Sequence, residues 1–84
     1  MNIIVDTTLG KAENIQDILP REYAKVAELK EQGVLEHLFV KEAGAGAVLV
    51  YKNLTLEEVK NKVSEFPLFP HFEKIEYTIV EKNF

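Results

Sequence analysis

The stretch VLEHLFVKE, residues 34–42, is followed by AGAG, residues 43–46, and by AVLVYK, residues 47–52. The two outer segments are short and rich in β-branched and apolar residues, and glycines interrupt the connection between them, a pattern that predicts a β-hairpin. A segment with helical spacing lies on each side of this hairpin. We therefore expect a hairpin at the centre of the chain, with one helix before it and one after it.

The helix before the hairpin is predicted from about residue 17 to residue 32. Asp17 is a candidate cap, and Gly33 is a typical stop signal. Because a proline is tolerated only in the first turn of a helix, Pro20 predicts that the helix proper begins near Leu19. Residues 9–14 are predicted to form a loop.

The helix after the hairpin begins with a recognisable signal. Thr55 followed three residues later by Glu58 matches a capping box. Apolar residues then recur at spacings of three and four until Pro67, which ends the pattern. Strands are predicted at both ends of the chain, over residues 2–8 and residues 72–81.

The order of the predicted elements is β-α-β-β-α-β. This order is typical of the ferredoxin-like α+β fold, with a four-stranded antiparallel sheet and two helices on one face. No linker or internal repeat divides the 84 residues, so residues 1–84 are predicted to form a single domain.

The face of the sheet away from the helices is expected to be largely apolar. Counting by two places Leu35, His37 and Phe39 on one face of the second strand, and Leu38 and Val40 on the other. A bare apolar face favours association, so we expect a homodimer whose sheets pack together and help to enclose a cavity. The alternative is a monomer with ordinary exposed valines and tyrosines.

Composition narrows the classes of function. The net charge of −4 argues against nucleic acid as a partner. Cysteine is absent, which excludes disulfides and thiolate chemistry, and the two histidines have no metal-ligand spacing, so no metal site is predicted. The apolar runs are too short to span a membrane, and the first residues lack the pattern of a signal peptide, which predicts a cytoplasmic protein with no membrane partner.

Glu22 is the first candidate for chemistry. On a helical wheel this carboxylate falls inside the apolar stripe that contains Leu19, Val26 and Leu29. Partial burial there is expected to raise its pKa toward the range that suits a general base near neutral pH. The alternative is that Glu22 lies on the first turn of the helix and faces solvent.

The two histidines are further candidates. His37 is predicted to be a proton shuttle or a ligand contact in the cavity, and the alternative is a core or interface histidine with one satisfied nitrogen. His71 follows Pro70 and is predicted to rim a pocket beside Phe69 and Phe72. The alternative is an exposed histidine in a loop.

The stretch FPLFPHFEKIE, residues 66–76, resembles the segment that closes the muconolactone Δ-isomerases. The Pro-Leu-Phe-Pro motif is its specific part. Shorter matches to an Arg-Glu pair and a His-Leu-Trp triplet of that family lie upstream, at Arg21-Glu22 and His37-Leu38-Phe39. The resemblance covers roughly residues 20–80.

The resemblance implies a dimeric α+β barrel that assembles further, into a decamer, and needs no cofactor. It also implies an isomerase that shifts a double bond in a small lactone or apolar carboxylic acid by proton abstraction and return. Glu22 is the expected base, and His37 and Arg21 are expected to orient the substrate or stabilise the enolate. The predicted catalytic residues are Glu22 and His37, and the predicted substrate-binding residues are Arg21, Tyr51, Phe69, His71 and Phe72.

Two other classes of function stay open at this point. One is a cofactor-free monooxygenase on the same barrel. The other is a non-catalytic module for ligand binding or assembly, which would be favoured by a solid core around Glu22 or by a salt bridge that occupies its carboxylate.

Overall fold

The structure, a computed structural model, describes residues 1–11 and 15–84. Its helices and strands follow the predicted order, as β1 (Asn2–Leu9), α1 (Ile15–Glu31), β2 (Leu35–Val40), β3 (Gly46–Lys52), α2 (Leu56–Ser64) and β4 (Phe72–Val80). The four strands form one antiparallel sheet in the order β2-β3-β1-β4. The ferredoxin-like fold predicted from the sequence is confirmed.

Helix α1 begins earlier than predicted. It starts at Ile15, so Asp17 lies within its first turn instead of capping it, and Pro20 lies inside the helix. A proline at that position has no N–H to donate to the carbonyl of Gln16, and the helix continues without that hydrogen bond. The predicted loop over residues 9–14 includes residues 12–14, which are outside the described residues, and β1 already extends to Leu9.

The start of α2 agrees with the sequence signal. The Thr55 side chain accepts a hydrogen bond from the Glu58 N–H at 3.2 Å, and the Glu58 carboxylate accepts one from the Thr55 N–H at 2.9 Å. The predicted capping box is therefore confirmed. The helix ends at Ser64, three residues before Pro67.

Both helices pack on the same face of the sheet. The residues buried between them and the sheet come from β1 (Ile3, Val5), α1 (Leu29), β2 (Leu35), β3 (Leu49, Tyr51), α2 (Val59, Val63) and the segment that follows (Phe66). We call this the helix face; it contains Ile3, Val5 and Thr7 of β1 and the residues paired with them. The opposite side, with Ile4 and Asp6 and the residues paired with them, is the open face.

A β-bulge in β2 changes which residues of this strand face the helices. Leu35 pairs with Tyr51 of β3 and so lies on the helix face. The next paired residue is His37, opposite Val50 on the open face, and Glu36 is therefore the extra residue. The prediction that Leu35 and His37 share a face is wrong, because alternation by two does not hold across a bulge.

The open face is apolar at its centre and charged beside it. Val48 and Val50 lie at the centre, and Phe39 is paired with Val48 with 59% of its surface exposed. The Lys41 ammonium lies 2.6 Å from a carboxylate oxygen of Asp6. The second face of the sheet is thus less uniformly apolar than predicted, and its apolar part is a compact patch around Phe39.

Candidate functional site

A cavity of about 310 Å³ lies between α1 and the helix face of the sheet. Its walls also include the turn before β3 and the segment between α2 and β4. The described residues that line it are Thr7, Leu9, Ile15, Gln16, Leu19, Glu22, Tyr23, Val26, Leu38, Val40, Ala43, Gly44, Gly46, Ala47, Leu49, Val63, Phe66, Leu68 and Phe72. Ligand pockets span about 300–1,000 Å³, so this volume suits a compound built on a single ring.

Small residues of β3 leave this space open. Along the helix face of β3 the side chains shrink from Tyr51 to Leu49 to Ala47, and the strand begins at Gly46. A β-carbon on Gly46 would collide with the carbonyl oxygen of Thr7, so the backbones approach too closely for any side chain there. The cavity therefore results from the decreasing size of the side chains along the helix face of β3.

The floor of the cavity has no free polar group at Thr7. This side chain is buried, and its hydroxyl donates to the Ala47 carbonyl at 3.0 Å and accepts from the Ala47 N–H at 3.1 Å. Because the backbone of β3 satisfies this hydroxyl, the part of Thr7 that remains for a ligand is its methyl group.

Glu22 places a carboxylate in this apolar lining. It lies in the third turn of α1, seven residues after Ile15, and is half-buried. The alternative in which it occupies the first turn and faces solvent is wrong, because the helix begins earlier than predicted. Oxygen Oε1 accepts a hydrogen bond from the Leu68 N–H at 3.1 Å. Burial raises the pKa of the Glu22 carboxyl, and the hydrogen bond from Leu68 offsets only part of that rise.

The turn over residues 66–72 holds this carboxylate in place. The Phe69 N–H donates to the Phe66 carbonyl at 2.9 Å. The His71 N–H donates to the Leu68 carbonyl at 2.8 Å. These bonds fold the turn tightly and leave the Leu68 N–H for the glutamate. The motif that carries the family resemblance thus positions the candidate base.

Neither His37 nor Arg21 lines the cavity. The His37 ring lies on the open face, 6.1 Å from the ring centre of Phe39, because the bulge in β2 turns it away from the helices. Arg21 directly precedes Glu22 but is exposed. Within one chain, the structure does not bring these two side chains together with Glu22, and their role in orienting a substrate stays a prediction.

Phe72 is the residue of the predicted pocket rim that lines the cavity. The Phe69 ring packs edge-on against it, with ring centres 6.4 Å apart. His71 is not among the lining residues; its carbonyl accepts a hydrogen bond from the Gly10 N–H at 2.9 Å and so ties the turn to the end of β1. Phe69 and His71 therefore lie next to the lining but are not part of it.

Tyr51 belongs to the core and not to the cavity lining. Its side chain is fully buried, and its hydroxyl has no hydrogen-bond partner among the described residues. Burial raises the pKa of the Tyr51 hydroxyl, and the charges of Tyr77, Glu22 and Glu65 add to this effect. Tyr51 is not among the lining residues, so the structure does not bring it together with Glu22 at this cavity.

The sequence analysis missed two polar residues of the lining. Gln16 and Tyr23 both lie on α1, seven residues apart, which places them on one side of the helix. Tyr23 is 60% exposed and lies at the mouth. Gln16 was missed because the helix begins earlier than predicted, whereas Tyr23 lies within the predicted helix and a wheel of that helix already places it beside Leu19.

Residues 1–11 and 15–84 contain neither a cluster of metal ligands nor a helix able to span a membrane. No three His, Cys, Asp or Glu side chains in these ranges are grouped as ligands of a metal ion would be. No helix in the same ranges has both the length and the apolar character that crossing a membrane requires.

Comparison with known proteins shows similarity at the level of the fold. No family model and no curated protein matches the sequence. Among solved structures, muconolactone isomerase matches with a TM-score of 0.83 and 18% sequence identity, over 99% of this chain and 91% of that one.

A second structure matches over nearly its whole length. It is the 5-chloro-2-hydroxyhydroquinone dehydrochlorinase of Burkholderia phenoliruptrix AC1100 in complex with 2,5-dihydroxybenzoquinone, with a TM-score of 0.74 and 13% identity over 96% of this chain and 94% of that one. Both likenesses show a shared ferredoxin-like fold. The resemblance to muconolactone isomerase noted in the sequence therefore extends to the architecture of the whole domain.

Proposed function

We propose that this chain is a small-molecule isomerase that shifts a double bond in a small lactone or apolar acid by moving one proton through Glu22. The observation that carries this proposal is the half-buried Glu22 carboxyl in an apolar cavity, fixed by the Leu68 N–H. Both structural neighbours are named for reactions of small ring compounds, which supports the substrate class.

The proposed reaction needs one group that accepts a proton and then returns it. The Glu22 carboxylate removes a proton from a carbon activated by a carbonyl group and a neighbouring double bond, and the C–H electron pair enters the π-system to give a dienolate. The same carboxyl then delivers the proton to a different carbon, and the electrons close into the shifted double bond. Atoms and electrons balance without a further reactant.

The environment of Glu22 suits both halves of this reaction. A base is strengthened when its pKa is raised, because it holds an abstracted proton more tightly. The Leu68 N–H fixes one oxygen of the carboxylate, which leaves the other for the substrate. The Tyr23 hydroxyl and the Gln16 amide, on the same helix, are the lining side chains able to donate to a substrate oxygen that gains charge.

The test uses a β,γ-unsaturated butenolide in deuterated buffer. Conversion to the conjugated isomer is followed by ultraviolet absorbance, and exchange of the activated C–H is followed by proton NMR. We expect Glu22→Gln to keep the fold and to lower the rate by about 10²–10⁴-fold, the usual contribution of a general acid–base group. Glu31→Gln is the matched control, since Glu31 is an exposed glutamate at the end of the same helix.

Full turnover by the Glu22→Gln variant would overturn the assignment of the base. Oxygen consumption with a quinol, in place of isomerisation, would assign the monooxygenase class. Binding of the butenolide with no conversion and no exchange of its C–H would assign the non-catalytic binding module.

We further propose that two copies of this chain pair through the open face. The patch around Phe39, Val48 and Val50 is apolar and on the side of the sheet that no helix covers. Light scattering after size-exclusion chromatography should give a dimer or a multiple of it, up to the decamer that the resemblance implies. Phe39→Glu should reduce the mass to that of a monomer, whereas Phe84→Glu, at an exposed phenylalanine outside the patch, should not. A monomeric wild-type protein would contradict this proposal.

A further inference from the structure

The described lining of the cavity contains an acidic group but no basic one. Among the described lining residues, Glu22 has the only carboxyl group, and none is a lysine, an arginine or a histidine. Residues 12–14 are Ala-Glu-Asn in the sequence and so contribute no lysine or arginine to this chain. A ligand inside the cavity therefore meets a carboxylate and no cation of the same chain.

The lysines beside the lining residues Val26 and Val40 are paired outside the cavity, and Lys11, two residues after the lining residue Leu9, is exposed. The Lys25 ammonium lies 2.7 Å from the Glu65 carboxylate on the outer surface of the helices. The Lys41 ammonium is bound to Asp6 and is hydrogen-bonded to Thr8 at 3.3 Å, both on the open face. Arg21 is exposed beside Glu22 in the sequence and is not part of the lining.

A charged ligand and a neutral ligand of the same shape would meet this lining very differently. A carboxylate loses its hydration on entering an apolar cavity, and here no cation compensates that loss. It would also come close to Glu22, whose negative charge repels it through a medium of low dielectric constant. A neutral carbonyl or hydroxyl compound avoids both costs and can still bond to Tyr23 or Gln16.

We infer that the cavity selects uncharged single-ring compounds with a carbonyl or hydroxyl group, and rejects carboxylates of the same size. This inference rests on the proposed function and narrows its substrate class from small acids and lactones to neutral lactones and related neutral ring carbonyl compounds. The carbonyl oxygen lies toward Tyr23 and Gln16, and the activated C–H lies toward Glu22.

Benzamide and benzoate are the test probes, because they match in shape and differ in charge. Each is titrated into the folded protein at neutral pH, and binding is followed by the amide NMR signals, that of Leu68 among them. We expect benzamide to bind at least about tenfold more tightly than benzoate, since one buried like-charge contact is worth that much or more. Glu22→Gln should reduce this preference, because it removes the repelling charge.

A second variant tests the missing cation directly. Leu19→Lys adds an ammonium at a partly exposed lining residue and should raise the affinity for benzoate relative to the affinity for benzamide. Ala24→Lys is the matched control, because it adds the same charge at an exposed residue of α1 outside the lining. Circular dichroism confirms the fold of each variant.

The possible outcomes separate this inference from the proposed function. Benzoate binding as tightly as benzamide to the wild-type protein overturns the inference, and so does binding of neither probe. A preference for benzamide with no isomerase activity keeps the inference and overturns the proposed function. Turnover of a carboxylate-bearing lactone in preference to its neutral ester keeps the proposed function and overturns the inference.

Discussion

The space between the helices and the sheet is filled at one end and hollow at the other. At the filled end, Tyr51, Ile3 and Leu29 are fully buried and pack against one another and their neighbours. At the hollow end, the small Ala47 of the same strand borders about 310 Å³ of empty volume beneath the first half of α1. The same sheet and helix thus form both a packed core and a cavity. The size of the residues along β3 determines which end is packed and which is empty.

This difference assigns stability and binding to separate parts of the chain. Buried apolar side chains stabilise the folded state in proportion to the surface that they remove from water, so the filled end carries most of the stability. The hollow end gives up part of that stabilisation and leaves the cavity that we propose as the binding site. Substitutions at the two ends should therefore have different consequences even when the chemical change is the same.

The largest expected effect comes from truncating the same residue type at both ends of α1. Leu29 is 0% exposed, whereas Leu19 borders the cavity and is partly exposed. Leu29→Ala should lower the free energy of unfolding by about 2–5 kcal/mol, and Leu19→Ala by about 1 kcal/mol or less, because little packing surrounds it. Urea denaturation measures both. Equal losses at the two positions would show that the hollow end is packed in solution.

An intermediate effect is expected from filling the hollow end. Ala47→Leu places a larger apolar side chain in the cavity, where there is room for it, so the free energy of unfolding should change by no more than about 1 kcal/mol. The affinity for benzamide should fall at least about tenfold, because the added atoms occupy the site. Ala27→Leu, on the exposed side of α1, is the matched control and should leave the affinity unchanged. Unchanged affinity in the Ala47 variant would place the ligand elsewhere.

The smallest expected effect is the pH dependence that Glu22 gives to stability. Burial raises the pKa of Glu22 in the folded chain above its ordinary value of 4.5, so the folded state binds this proton more tightly than the unfolded chain does. The stabilisation that comes from this proton is fully present below pH 4.5 and is lost as the pH rises through the raised pKa.

Urea denaturation of the wild type and of Glu22→Gln over a series of pH values measures this effect. The stability of the wild type relative to the variant should decrease with rising pH and then level off. Glu58 and Glu65, whose pKa values are lowered in the folded state by hydrogen bonds from Thr55 and Lys25 respectively, change stability in the opposite direction. The contribution of Glu58 and Glu65 is the same in the wild type and in Glu22→Gln, so it cancels when the two free energies of unfolding are subtracted. A relative stability that increases with pH would contradict the assigned direction.

The fold could be predicted from the sequence because its signals are local. The capping box at Thr55, the glycine stop at Gly33 and the short connection between two apolar segments each define an element without reference to the rest of the chain. Glu22 was found for the same reason, because a helical wheel depends only on residues a few positions away.

The placement of His37 could not be predicted in this way. Alternation along a strand gives the correct face only while every residue pairs with one partner, and Glu36 interrupts that pairing. Nothing in the sequence of β2 itself marks the bulge. The start of α1 was missed for a related reason, since Pro20 was interpreted as a first-turn residue although the helix accommodates it further in.

The cavity and its anchor depend on contacts between distant parts of the chain. The Leu68 N–H and Glu22 are 46 positions apart, and no periodicity links them. The empty space likewise results from the small size of Ala47 opposite α1. This consequence becomes apparent only when the helix is packed against the sheet. These features belong to tertiary packing and not to sequence pattern.

The bond from Leu68 to Glu22 also joins the two halves of the domain, since the carboxylate belongs to the β1-α1-β2 half and the amide to the β3-α2-β4 half. Neither half therefore contains both the Glu22 carboxyl and the N–H that holds it. If one half were exchanged for the equivalent part of another protein, the Glu22 carboxyl would be separated from the Leu68 N–H. The arrangement is therefore retained in evolution only when both halves are inherited together.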